Sequence, residues 1–283
     1  MPLSPDLRGS LFMTAAMAAF AVEDALLKTA AASLPPGEVL MIFGTLGLAL
    51  FAALTRAAGE ALLPPALWSR TMALRSVAEV TGRLFFMLAL ALTPVSTTSA
   101  VLQATPLIVI AGAAVLFGER VGARRWLAVA AGLVGVLMIL RPGGEGFGPT
   151  ALLAVVATLG FAGRDLATRA APPALSWRQL GVAGFAMLIV AGLVALPFGA
   201  APAWPAPAAA GLVALAAVAG VAAYSSLTLA MRSGQVAAVT PFRYTRLVFA
   251  MIAGMLVFGE RPDGWTIAGS VVVVLAGIAA LRR

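Results

Sequence analysis

Apolar stretches of about 20 residues, each long enough to cross roughly 30 Å of hydrocarbon as a helix, follow one another along this chain with only short polar breaks. A backbone in lipid must satisfy its own hydrogen bonds, which leaves helices or closed barrels, and the alternating pattern of barrel strands is absent here. Composition agrees: 61% of the 283 residues are hydrophobic and only 11% charged, against about 25% charged in soluble domains. We read spans at about 8–31, 38–56, 70–92, 96–117, 124–141, 149–171, 177–197, 208–231, 235–258 and 264–281. The expected fold is therefore an all-α integral membrane protein of ten transmembrane helices. Helix-stop chemistry separates several of them, as in LPPG at 34–37, TPVSTT at 93–98, RPGG at 141–144 and RSG at 232–234. Met1–Asp6 lacks a basic region and no small-residue cleavage site follows, so the start reads as the first span and not as a removable signal.

Arginine placement gives an expected orientation. With both termini cytoplasmic, inner segments hold Arg8, Arg56, Arg70, Arg120, Arg124, Arg125, Arg178, Arg232, Arg282 and Arg283, and outer loops hold little beyond Arg141 and Arg261. The net charge of +8 then reads as a topology signal and an affinity for anionic lipid, not for nucleic acid.

The tetrapeptide FGER occurs at 117–120 and again at 258–261, a shift of 141 residues. At the same shift Phe20-Ala21 falls on Phe161-Ala162, Asp24 on Asp165, Lys28 on Arg169, and Val95 on Val236. Charged residues are scarce in this chain, so coincident charged blocks in one register point to a duplicated half: residues 1–142 and 143–283. Five spans per half, an odd number, insert the second repeat upside down. Such an inverted repeat around a central cavity has two nearly equivalent conformations, open to opposite sides.

Two halves of five helices, each with Gly-Glu-Arg between its fourth and fifth span and an Ala/Gly-rich last helix, resemble the EamA-type branch of the drug/metabolite transporter superfamily. Within it the chain is similar to bacterial exporters of amino acids, including aromatic ones. The resemblance implies a basket of helices around a central cavity, with the fifth and tenth spans at the periphery.

Residues shared by the halves are expected to serve folding and motion, whereas a cavity for an asymmetric molecule is expected to use residues that differ. The glutamates of FGER, Glu119 and Glu260, belong to the scaffold, with Arg120 and Arg261 suited to the negative end of a helix dipole. Asp24 with Lys28, and Asp165 with Arg169, are spaced to pair on one helix face, as snorkelling tips or as gates at opposite ends. The unshared charges are Glu23 opposite Arg164, then Arg75, Glu79 and Arg83 opposite Ala216, Gly220 and Tyr224, and Arg243 and Arg246 opposite Leu102 and Thr105. Insertion scales charge about 2.5–3.5 kcal/mol for such a residue at a helix centre, so each needs a partner or a wet cavity. They neutralise one another, or an arginine fork of Arg243 and Arg246 takes a substrate carboxylate while Glu23, Asp24 or Glu79 takes an ammonium. Phe20, Phe85, Tyr224, Phe242 and Tyr244 lie near mid-span and would line such a site. Pro106 and Pro241 remove intrahelical bonds and are candidate hinges.

The chain has no Cys and no His, which removes thiol and Ser–His–Asp catalysis and the common nitrogen or sulfur metal sites. No phosphate-binding Gly-x-x-x-x-Gly-Lys-Ser/Thr loop occurs either. No cofactor or metal is expected. The reading is a secondary transporter of the cytoplasmic membrane, with membrane lipids and a small-molecule substrate as partners, exporting amino acids or similar metabolites. The competing readings are an exporter of amphiphilic cations and a membrane-embedded lipid-modifying enzyme using carboxylates.

Overall fold

The computed structural model describes residues 3–92, 101–140, 151–201, 204–258 and 264–281. Long helices are α1 (Pro5–Ala30), α2 (Pro36–Ala57), α3 (Arg70–Leu92), α4 (Thr105–Phe117), α5 (Ala123–Leu140), α6 (Ala151–Arg169), α7 (Trp177–Ala195), α8 (Pro207–Met231), α9 (Thr245–Phe258) and α10 (Gly264–Leu281). No strand occurs among the described residues. The helices coincide with the expected spans to within a few residues, except at two prolines. The stretches 93–98 and 141–144, the second FGER beyond Phe258 and the terminal arginines lie outside the described residues, as does the side chain of Lys28.

Local chemistry explains the ends. Pro5, Pro36 and Pro207 open their helices, where the missing N–H costs nothing. Ser176 and Gln179 form a reciprocal capping box at the start of α7. Gly118 of FGER ends α4 at φ 64°, the left-handed conformation that a side chain disfavours. Pro106 falls in the first turn of α4, and Pro241 in the first turn of a 3₁₀ segment, Thr240–Tyr244, that joins a helical turn at Val236–Val239 to α9. Both prolines thus stand at interruptions of a span, not inside a continuous helix.

By length and apolar composition, four segments among the described residues suffice to cross a membrane: Pro5–Leu27, Pro36–Ala57, Trp177–Phe198 and Pro207–Met231. The main packing pairs are α1 with α8, α3 with α6, α2 with α7, and α5 with α10. Lesser ones are α1 with α9, α4 with α6, α3 with α7 and α2 with α8. Exchanging each helix for the one five places along maps this set of pairings onto itself. Close approach is made by small residues: a Cβ on Gly160 of α6 would fall 2.5 Å from Gly82 N and 2.7 Å from its Cα on α3, and one on Gly135 of α5 would fall 2.8 Å from Gly269 O on α10.

FGER has a role its sequence did not announce. The Glu119 carboxylate accepts from the backbone N–H groups of Val236 (3.0 Å) and Ala237 (3.2 Å), capping the helical turn at the start of the other half's interrupted span. Asp6 accepts beside it from Gln235 N at 2.9 Å, and Arg125 approaches Asp6 at 3.7 Å. Behind these contacts α1, α4, α6, α8 and the 236–239 turn close into an apolar cluster that includes Met13, Ala113, Leu166, Leu227, Met231 and Val236.

Candidate functional site

On the far side of that cluster lies a cavity of about 210 Å³. Met17, Phe20 and Asp24 come from α1, Arg83 and Phe86 from α3, and Phe161 and Arg164 from α6. Leu102, Gln103, Thr105 and Pro106 enter at the start of α4, and Arg243, Arg246 and Leu247 from the 3₁₀ segment and α9. Several of these stand 141 residues apart: Phe20 and Phe161, Leu102 and Arg243, Thr105 and Arg246, Pro106 and Leu247. Corresponding positions of the two halves therefore face one space, and two of them carry a cation on one side only.

Arg75, Glu79, Arg164, Asp165 and Arg243 form one connected network through Tyr224, and Arg246 with Asp24 form a separate pair. Arg75, fully buried, donates to Thr168 Oγ1 (2.9 Å) and to Tyr224 Oη (2.5 Å). Tyr224 donates in turn to Glu79 Oε2 at 2.7 Å, and Arg164 donates to Glu79 Oε1 at 3.2 Å. Arg164 Nε reaches Asp165 Oδ1 at 2.8 Å, and Asp165 Oδ2 accepts from Arg243. Arg246 gives two hydrogen bonds to Asp24 Oδ2, at 3.0 and 2.5 Å. Glu79 and Asp165 are buried, whereas the side chains of Arg246 and Asp24 remain 34% and 49% exposed at the cavity. Buried acids with two donors each are what the cost of burying charge requires.

Rings flank the guanidinium groups. Arg83 and Arg164 lie 5.8 and 5.3 Å from the Phe161 centroid, and Arg246 lies 5.0 Å from that of Phe20. Such distances are in cation–π range.

The structure revises several sequence expectations. Asp165 pairs with Arg164 and Arg243, not with Arg169, whose Nη1 instead reaches Met231 O at 3.5 Å. Asp24 takes Arg246 from across the bundle. Arg243 and Arg246 line the cavity but are not an open fork, since each is hydrogen-bonded to an aspartate. Glu23, next to Asp24 in sequence, turns from the cavity toward α8: a Cβ on Gly220 would fall 3.1 Å from its Oε2, which has no hydrogen-bond partner among the described residues. Tyr244 packs against Gly132 and Val273, away from the cavity. Tyr224 stands in the network behind the wall, and Phe242 packs on the apolar cluster. Phe161, Phe86, Gln103 and Arg164 were missed as wall residues. The repeat itself held a signal for Phe161, which matches Phe20, but shared residues were assigned to the scaffold.

Comparison with known proteins fixes the family. The EamA-like transporter family model matches twice, over residues 7–141 and 149–282. The chain belongs to the EamA-like transporter family. It is thus a multi-pass small-molecule transporter of the drug/metabolite superfamily. It is 31% identical over 292 aligned residues to a pseudopaline exporter of Pseudomonas aeruginosa, covering 97% of this chain and 96% of the exporter. It is 33% identical over 195 residues to a riboflavin transporter of Rhizobium johnstonii, covering 69% of this chain and 64% of that one. An S-adenosylmethionine uptake transporter of Rickettsia prowazekii is 29% identical over 190 residues, 66% of this chain and 63% of its own length. A protein of known crystal structure shares the fold with a TM-score of 0.80 at 21% identity over 96% of each chain. The substrates named for these relatives differ widely.

Proposed function

We propose that the chain is a ten-span secondary transporter made of two inverted repeats, residues 1–142 and 143–283, that works by alternating access. It exports amino acids, aromatic ones among them, or similar small metabolites across the cytoplasmic membrane, with both termini inside. The observation that carries this reading is the cavity on which corresponding residues of the two halves converge, closed on one side by the apolar cluster behind Met17. The two separate family matches and the helix pairings that survive exchange of the halves support the repeat. In an inverted repeat the arrangement closed at the Asp6 and Glu119 face has a counterpart closed at the other, and passage between them carries a molecule held at the centre.

Asp24 presents a carboxylate for a substrate ammonium, with both of its hydrogen bonds from Arg246 on Oδ2. Arg246 is then a positioning residue, Arg243 the counter-charge of Asp165, and Glu79 and Tyr224 the support behind Arg164. Pro106 and Pro241 lie where bending is least costly, at the interruptions beside the cavity. An amphiphilic-cation exporter fits less well, because among the described residues four lining arginines face one lining acid.

Flux of radiolabelled phenylalanine, other amino acids and cationic dyes into proteoliposomes tests the proposal. Saturable amino-acid flux is expected. Flux of the dyes alone would replace this reading with the cation one.

A further inference from the structure

Among the lining arginines, Arg83 is short of partners. Arg243 and Arg246 each bond an aspartate, and Arg164 bonds both Glu79 and Asp165. Arg83 has only a long ion pair, Nε to Glu79 Oε1 at 3.9 Å, beyond hydrogen-bond range. The acid that its spacing would offer it is already taken by Tyr224 and Arg164. Its Nε is buried and has no hydrogen-bond partner among the described residues, and its side chain is 15% exposed, on the cavity wall. A guanidinium carries five donors in a planar fork, and leaving them unmet away from bulk water is costly. The neighbours that would frame a bound group are rings: Phe86 on its own helix, Phe161 under its guanidinium, and Phe20 across the space.

We propose that Arg83 is the carboxylate receptor of the cavity, and that the substrate is an organic acid whose carboxylate takes the Arg83 fork while its apolar or aromatic body lies among Phe20, Phe86 and Phe161. This rests on reading the cavity as the substrate site. It reassigns the carboxylate from the Arg243 and Arg246 pair to Arg83. Planar bidentate recognition of a carboxylate is what guanidinium does best, and among the described residues Arg83 is the lining guanidinium without a hydrogen-bonded acid. The small cavity suits a body of one ring.

Binding of three matched probes to the purified protein in detergent tests the assignment: 3-phenylpropionate, phenylalanine and phenethylamine, measured by calorimetry. The two carboxylates should bind and the amine should not. Arg83→Gln should weaken both by about tenfold or more, and Arg83→Lys should recover part of the loss. Should Arg83→Gln fail to fold, phenylglyoxal modification of the wild-type chain, mapped by mass spectrometry, reads the same contact: 3-phenylpropionate should protect Arg83 and phenethylamine should not. Equal binding of acid and amine, unaltered binding by Arg83→Gln, or no protection of Arg83 overturns the proposal. Carboxylate binding at Arg83 without flux in proteoliposomes would uphold this assignment and remove the transport reading. Amino-acid flux with an unchanged KM in Arg83→Gln would keep transport and overturn the assignment.

Discussion

Glu79→Ala and Arg246→Ala remove charges from one bundle but differ in what they leave behind. Glu79 is fully buried, accepts from Tyr224 at 2.7 Å and Arg164 at 3.2 Å, and has Arg83 at 3.9 Å. Its loss removes one of the two acids bonded to buried Arg164 and the acceptor of a buried tyrosine, and breaking a buried pair from one side costs about 3–5 kcal/mol. Arg246 and Asp24 pair at the cavity with side chains 34% and 49% exposed. Water can replace the lost partner there, so Arg246→Ala should cost no more than about 1 kcal/mol. Equilibrium unfolding of each variant in mixed micelles gives the two values, and amino-acid flux at matched protein amounts gives the functional effect. The expected result is a collapse of stability and flux together in Glu79→Ala, and a raised KM with stability kept in Arg246→Ala. Equal destabilisation by the two, or Glu79→Ala within about 1 kcal/mol of wild type, would refute the division into buried support and cavity wall.

Three further outcomes follow. Gly160→Ala forces a Cβ to 2.5 Å from backbone of α3, which cannot rotate away, and should destabilise by about 1–3 kcal/mol or more, read by the same unfolding assay. Glu119→Ala uncaps the turn at Val236 and Ala237 and should cost about 1 kcal/mol, with faster amide exchange at those two residues. Glu60, outside the spans, accepts hydrogen bonds first from Ser176 and then from Arg178, and these hold its pKa below the usual 4.5. A lowered carboxylate adds stability above its unfolded pKa and loses it as pH falls through the folded one. The stability difference between wild type and Glu60→Gln should therefore be present at pH 7 and vanish in strong acid, and a difference that grows on acidification would contradict the assignment.

Much of the fold was legible because lipid leaves so few options. Helix positions followed from apolar length, and scarce charges in a single register suggested the repeat proposed above. Partner choice was harder. A spacing of four along a helix suggests Asp165 with Arg169, yet Asp165 lies inside the bundle, where Arg164 and Arg243 can reach it and Arg169, one turn further toward the helix end, bonds a carbonyl instead. Tyr244 was expected beside the cavity as a helical neighbour of Arg243, but the chain there is 3₁₀, and the ring turns onto Gly132. Arg75, Glu79 and Arg83 are spaced four apart, which would let them pair along one helix face. The Arg75 donors go instead to Tyr224 and Thr168 on other helices, a choice set by tertiary packing. Phe20 lines the cavity as expected, but the rule that shared residues are scaffold failed at its counterpart Phe161, because positions 141 residues apart line one space.

Alternating access itself is tested by sided cysteine labelling, which the chain permits because it contains no cysteine. Gln103 lines the cavity, and Ala113 is fully buried in the apolar cluster between the cavity and the Glu119 face. In membrane vesicles of known orientation, Gln103→Cys should react with an impermeant maleimide from outside. Ala113→Cys should react from the cytoplasmic side, slowly at rest and faster when a transported amino acid is present. Labelling of Gln103→Cys from one face under all conditions, with Ala113→Cys inert from both, would mean a fixed pocket and would contradict the transport cycle proposed here.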